Sequence, residues 1–477
     1  MYAMPRTTIL STSPAEIPAA GAQTPESPRA LMLPVVLTGV FVTILDFFIV
    51  NVAIPTTQRD LHAGSTAIEW VVAGYGLAYG SGLVLGGRLG DVFGRRRMFA
   101  IGLALFTVAS AACGLAPDTG TLLAGRIAQG ASAALLAPQV LAILRTAYHG
   151  PAQQRAINAY AVTMGLAAVF GQLIGGLLIQ ADVFGLGWRA CFLINLPIGA
   201  AALLLAPRVI PEGRPGGPVR LDLGGTALIT LALAAILLPL IEGREQGWPL
   251  WTWLSFGLAA ALLVGYARRR YETPVLDLTL FRERAFTAGL LTQLAFTMGM
   301  AGYFLVFALY VQQGRHLDAL QAGLVFTPIG AGYLTGSLLA SRLAARLGRQ
   351  VIALGGLTRA LGLSLLLVAV ARQVATGWLA LPLAVDGFGM GLALAPIMGN
   401  VLSRLAPRHA GAVAGALTTT QQVGGALGVA IVGILFYGNA SGGVAPAFEH
   451  GLGYLIVVTL AIAGLVQALP RQSPRTG

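Results

Sequence analysis

Runs of about twenty apolar residues recur along almost the whole chain, each long enough to cross roughly 30 Å of hydrocarbon as a helix. Fourteen can be read, from residues 33–53 to residues 452–470. In lipid every backbone N–H and C=O must be bonded within the protein, which leaves helices or a closed barrel as spanning elements. A barrel strand needs only about ten residues, so runs of this length select helices. Composition points the same way. Of 477 residues 56% are hydrophobic and 10% charged, where a soluble chain carries about a quarter charged. The weakest runs are the pair at 223–267, where Glu242, Arg244, Glu245 and Trp248 crowd a short turn.

The arginines between the runs give an independent test, because loops on the cytoplasmic side retain positive charge. With the N-terminus inside, nineteen loop arginines fall on the inner side. Only five fall on the outer side: Arg59, Arg189, Arg244, Arg315 and Arg372. The alternation holds loop by loop, so fourteen spans with both termini cytoplasmic are expected.

Formal charge is +12, and all 30 basic residues are arginine. The absence of lysine excludes a phosphate-loop lysine and a Schiff base. Placed in loops, the positive charge reads as topogenic and not as a nucleic-acid surface. Cys113 and Cys191 lie in apolar stretches and imply no disulfide framework. The five histidines are scattered over loops with no metal-ligand spacing, so no metal, cofactor or enzymatic site is expected.

An internal repeat is legible. Residues 88–95 read RLGDVFGR and residues 342–349 read RLAARLGR, with Arg-Leu and Gly-Arg at the same spacing. The same offset lays the first run on the ninth. Two six-helix halves with two inserted helices account for this, and such halves can rock about a midplane site. The expected organisation is a cytoplasmic tail at 1–29, a six-helix bundle at 30–210, a linker with two inserted helices at 211–284, a second six-helix bundle at 285–471, and a short tail at 472–477.

GRLGDVFGRRR at 87–97 resembles the signature loop of the major facilitator superfamily, and Arg126-Ile-Ala-Gln129-Gly130 resembles its Arg-x-x-Gln-Gly motif. LDFFIVNVAIP at 45–55 and WRACFLINLPIG at 188–199 are similar to marks of the fourteen-spanner drug:proton antiporters of EmrB/QacA type. The resemblance covers about residues 30 to 470. It implies an all-α major facilitator fold, a monomer in the bacterial cytoplasmic membrane, and a gate formed by Gly87, Asp91, Gly94, Arg95 and Arg96 that latches the halves on the cytoplasmic side. The span-five segment GLAAVFGQLIGG, with Gly165, Gly171, Gly175 and Gly176 as hinge or packing positions, resembles the antiporter motif of exporters. Gln172 stands where that motif has proline, which removes one source of a kink.

Ionisable residues inside hydrocarbon are costly and are kept for function. Asp46 lies nine residues before Pro55 and Arg126 about six residues into the fourth run. These are depths of about 13 and 9 Å from the outer side. The two can pair if spans one and four are neighbours, as the family fold implies, and a carboxylate so placed would gain and lose a proton as access switches. Asp386, at similar depth in the other half, is a candidate second proton site or a site for a cationic substrate. Arg359 lies nearer the cytoplasm and is expected to snorkel inward, with pairing to Asp386 as the alternative. Tyr75, Tyr79, Gln172, Tyr303, Phe307 and Asp386 are candidate substrate contacts. Tyr160, Met164, Met298, Phe304 and Tyr310 are further aromatic or polarizable positions on the same helices. The expected activity is proton-coupled export of amphipathic small molecules; the alternative is proton-coupled uptake of a small metabolite. A membrane enzyme would need a catalytic cluster, and the sequence offers none.

Overall fold

The computed structural model describes residues 30–212, 223–243, 246–269, 281–402 and 410–468. The two tails expected at 1–29 and 472–477 lie outside these residues, as do stretches of the linker and Arg214, Arg220, Arg244, Arg270, Arg404 and Arg408 of the charge count.

Every long element among the described residues is a helix. The first half comprises α1 (Met32–Asp60), α2 (Ser65–Phe93), α3 (Arg95–Gly114), α4 (Thr119–Ala147), α5 (Gly150–Ala181), and the short α6 (Ala190–Leu193) continuing into α7 (Asn195–Val209). Then come α8 (Leu223–Glu242) and α9 (Leu250–Arg268). The second half comprises α10 (Arg284–Leu309), α11 (Ala319–Leu347), α12 (Gln350–Ala371), α13 (Ala380–Leu402), α14 (Ala410–Gly438) and α15 (Val444–Ala468). Eleven helices are long and apolar enough to cross a membrane, and up to thirteen if two bent helices, α2 and α5, each count as one span. In α14 the continuous apolar stretch is the shorter Val423–Gly438.

Successive helices run in opposite directions, so each end of the bundle collects alternate termini. The near face carries the N-terminus of α1, the far face its C-terminus. Two helix starts are closed by side-chain caps. Asp118 caps α4 by accepting from the Thr121 amide at 2.9 Å, and Asp318 with Gln321 forms a reciprocal capping box at the start of α11. The repeat has a structural counterpart. Gly94 and Gly348 end α2 and α11 at matching positions, both with positive φ (94° and 56°), a conformation that admits glycine without a Cβ clash.

Small residues let backbones meet, the main route to tight packing where lipid removes the hydrophobic drive between helices. A Cβ on Gly387 of α13 would lie 2.9 Å from Ile329 Cα of α11, and one on Gly389 would lie 2.6 Å from Gly355 O of α12. The glycines after Asp386 therefore serve close packing on two sides. In α5, Gly171 and Gly175 receive Phe48 and Ile49 of α1, whereas Gly165 and Gly176 face Leu334 and Leu320 of α11. This helix is thus the shared surface between the halves, and it bends by 42° near residue 169 without a proline. At the far face Gln312 donates to Val52 O at 3.1 Å, joining α1 to the π-helical turn Tyr310–Gly314 that follows α10. Helices α8 and α9 pack on each other, with α8 against α2 and α14; Trp70 Nε1 donates to Glu242 at its end.

Candidate functional site

Asp46 of α1 is fully buried, and three side chains converge on its carboxylate. Arg126 Nη1 of α4 donates to Oδ2. Gln129 Nε2, one turn further along α4, and Asn195 Nδ2 of α7 donate to Oδ1 at 3.0 and 3.1 Å. Both amides also donate to Ser110 Oγ of α3, at 2.6 and 2.9 Å. Arg126 in turn donates through Nε to Val71 O of α2 at 3.1 Å and through Nη1 to Gln129 Oε1 at 2.9 Å. Five helices are tied to one ion pair. The guanidinium carbon lies 4.4 Å from the centre of the Tyr75 ring, which covers its face. A buried ion pair is tolerable only with such additional bonds to its remaining valences.

Gln129 and Asn195 stand inside the two motifs quoted from the sequence, but their role was not legible there. Their donors point at Asp46 only because α3, α4 and α7 close around α1. Ser110 carried no signal at all.

The second half holds another buried pair. Arg359 of α12 donates from Nε to Asp386 Oδ1 of α13 at 3.2 Å and from Nη2 to Gly299 O of α10 at 3.0 Å. Both side chains are buried, so Arg359 does not snorkel to the near face as expected. Helix α13 supplies a counter-charge at its own depth, and pairing there replaces the reach for water. Unlike Asp46, this pair is only partly bonded. Arg359 Nη1 has no hydrogen-bond partner among the described residues, and the Tyr303 hydroxyl stands beside the Asp386 carboxyl.

Between the halves lies a cavity of about 100 Å³. Its wall includes Tyr75, Tyr79 and Gln172 of the expected contacts, with Met164 and Phe304. The structure places Tyr303, Phe307 and Asp386 away from this wall, packed behind it. Phe47, Phe48, Phe326, Tyr333, Met390 and Gln421 line it instead, without having been singled out in the sequence. Tyr75 joins the two features: one face of its ring meets Arg126, and its edge reaches the cavity.

The loop residues Gly87, Asp91, Gly94, Arg95 and Arg96 sit at the near face. Arg95 pairs with Asp91 at 3.1 Å and donates to Ala142 O of α4 at 3.2 Å. Arg96 donates to Pro207 O, Ile210 O and Glu212 beyond α7. These bonds lie within the first half. Gly90 packs on the Gln139 amide, which donates to Gly86 O at 2.8 Å.

Among the described residues no group of histidine, cysteine, aspartate or glutamate side chains could hold a metal. Residues 36–429 match the Major Facilitator Superfamily. The chain belongs to that superfamily. This facilitator is 36% identical over 437 residues to a probable actinorhodin transporter of Streptomyces coelicolor, covering 90% of its own length and 76% of the relative's. It is 36% identical over 483 residues to a puromycin resistance protein of Streptomyces alboniger, covering 97% and 94%. To a cephamycin export protein of Amycolatopsis lactamdurans it is 32% identical, covering 92% of each. Among solved structures, a POT family transporter superposes with a TM-score of 0.67 at 17% identity, over 93% of the facilitator and 97% of that chain. The xylose transporter XylE of E. coli superposes with a TM-score of 0.64 at 14% identity, over 92% and 98%. These two likenesses show the fold, an all-helical transporter fold that passes the membrane many times.

Proposed function

We propose that this facilitator exports amphipathic small molecules, drugs or antibiotics among them, in exchange for protons. The observation that carries the reading is the buried Asp46–Arg126 pair, set directly behind a cavity-wall tyrosine. Protonating Asp46 removes the charge that holds Arg126, and the guanidinium then shifts against Tyr75. The cavity wall therefore responds to the proton. A molecule pressing on Tyr75 acts on the pair in the reverse sense, which is the reciprocity coupled exchange requires. The three relatives, named as a transport, a resistance and an export protein, favour export over uptake.

In this reading the moving units are the bundles at 30–210 and 285–471, with 211–284 carrying the two inserted helices, to make fourteen spans. The arginine bias supports both termini on the cytoplasmic side of a bacterial inner membrane, so the near face is the inner one. Alternating access is a rocking of the halves across α5, with Gly165 and Gly176 as the surface that moves on α11 and Gly171 and Gly175 seating α5 on α1. The loop of Gly87, Asp91, Gly94, Arg95 and Arg96 is proposed to latch the inner face when the cavity opens outward. Asp386 with Arg359 is the candidate second acid. A monomer suffices, since pair and cavity are complete within one chain.

Cells lacking other pumps, loaded with a panel of neutral and cationic toxic compounds, provide the test. Expression is expected to lower the content of some of them, and collapsing the proton gradient to abolish the difference. Raised content would establish uptake instead.

A further inference from the structure

Resting on the reading of the cavity as the site of the transported molecule, we propose that its preferred substrates are uncharged, planar aromatic compounds bearing a hydrogen-bond donor beside an acceptor, and that Gln172 recognises that edge.

Charge is the first argument. Among the described residues the wall contains no aspartate, glutamate, arginine or histidine. Two buried arginines of the bundle are already matched. Arg126 is spent on Asp46 behind the Tyr75 ring, and Arg359 on Asp386 behind the opposite wall. An organic cation entering this space would shed water without meeting a counter-charge, which is the costly way to bury an ion. A neutral molecule carries no such cost.

Shape is the second. Phe47, Phe48, Tyr75 and Tyr79 come from the first half, and Phe304, Phe326 and Tyr333 from the second. The Phe48 and Phe304 rings meet across the halves edge to face, with centroids 5.1 Å apart, and Phe304 stacks on Phe326 at 5.7 Å. Rings presented from both sides suit a flat ring system that stacks on some and meets others edge-on.

Gln172 is the third, and it selects the polar edge. It is 1% exposed and sits in the cavity wall, yet neither its Oε1 nor its Nε2 has a partner among the described residues. Elsewhere in the first half, buried glutamine amides are bonded: Gln139 donates to two carbonyls, and Gln129 joins the Asp46 network. A buried amide left unbonded is expensive, and the expense is recovered by whatever supplies the missing partners. A carboxamide presents a carbonyl acceptor beside an N–H donor, so its complement is another cis-amide, a lactam, or a hydroxyl next to a carbonyl.

The test uses three tricyclic probes with one ring frame: phenanthridin-6(5H)-one, its N-methyl derivative, and the 5-methylphenanthridinium cation. Binding of each to the purified full chain is measured by equilibrium dialysis. The lactam is expected to bind about tenfold more tightly than its N-methyl derivative, the value of one buried hydrogen bond, and the cation more weakly than both. In Gln172→Leu the lactam should lose about a hundredfold, the value of two such bonds, and the N-methyl compound, which keeps its carbonyl, about tenfold, bringing their ratio near one. The wild-type ranking stands whether or not the variant folds. Binding of the cation as tight as that of the lactam overturns the proposal, as does a lactam to N-methyl ratio that Gln172→Leu leaves intact. Reconstitution separates this from the export reading. Lactam binding as expected with no movement driven by a pH gradient supports the site and removes proton coupling; gradient-driven transport of the cation without lactam binding does the opposite.

Discussion

Asp46→Asn tests the buried pair most directly, because it keeps the shape and takes away one charge. The carboxylate accepts from Arg126, Gln129 and Asn195, and no water-facing route is open to any of them. Arg126 then keeps only its bonds to Val71 O and Gln129, beneath the Tyr75 ring. The substitution leaves that guanidinium without its counter-ion, and breaking a buried pair on one side costs about 3–5 kcal/mol. Adding Arg126→Gln removes the stranded charge. The double variant should then lack only a few hydrogen bonds, each worth about 1 kcal/mol. Unfolding by denaturant in mixed micelles measures the stability, and transport driven by a pH gradient in proteoliposomes measures the coupling. Asp46→Asn is expected to be destabilised and uncoupled, and the double variant to recover stability without recovering coupling. A double variant no more stable than Asp46→Asn would refute the ion-pair argument. Coupled transport retained in Asp46→Asn would refute the role of the carboxylate.

Arg359→Ala strands Asp386 in the same way and should cost about 3–5 kcal/mol in the same unfolding assay, as much as Arg126→Ala, where a snorkelling arginine would cost far less. Gly387→Val drives a branched side chain into the Ile329 backbone and is expected to destabilise by about 1–3 kcal/mol or more, whereas Gly453→Ala, with nothing within 4 Å of the new Cβ, should be neutral or mildly stabilising. At the far-face start of α4, the Thr121 amide holds the Asp118 carboxyl below the usual carboxylate range, with help from the Thr121 hydroxyl. A depressed folded value means the cap contributes fully above the ordinary pKa of about 4 and is lost as pH falls through the lower folded value. Protection of the Thr121 amide against hydrogen exchange, relative to its intrinsic rate at each pH, should hold until that point and be lost at every pH in Asp118→Ala.

The helices and their order followed from local quantities. A run of twenty apolar residues spans lipid wherever it lies, and the arginines flanking it report its direction. Asp46 and Arg126 could be matched from their depths, because rise per residue is constant along a helix, once the family resemblance made spans one and four neighbours. Which way a side chain points around the helix axis is another matter. In water an apolar stripe marks the buried face, but a helix in lipid is apolar on all sides, and its sequence carries no such stripe. Tyr303 and Phe304 are adjacent and equally aromatic, yet only Phe304 faces the cavity. Arg359 could have reached for the membrane edge, and the rotation of α13 brought Asp386 to it instead. Depth in the membrane was written in the sequence. Facing was decided by the packing of one helix on the next, through glycines whose contacts exist only in the folded bundle.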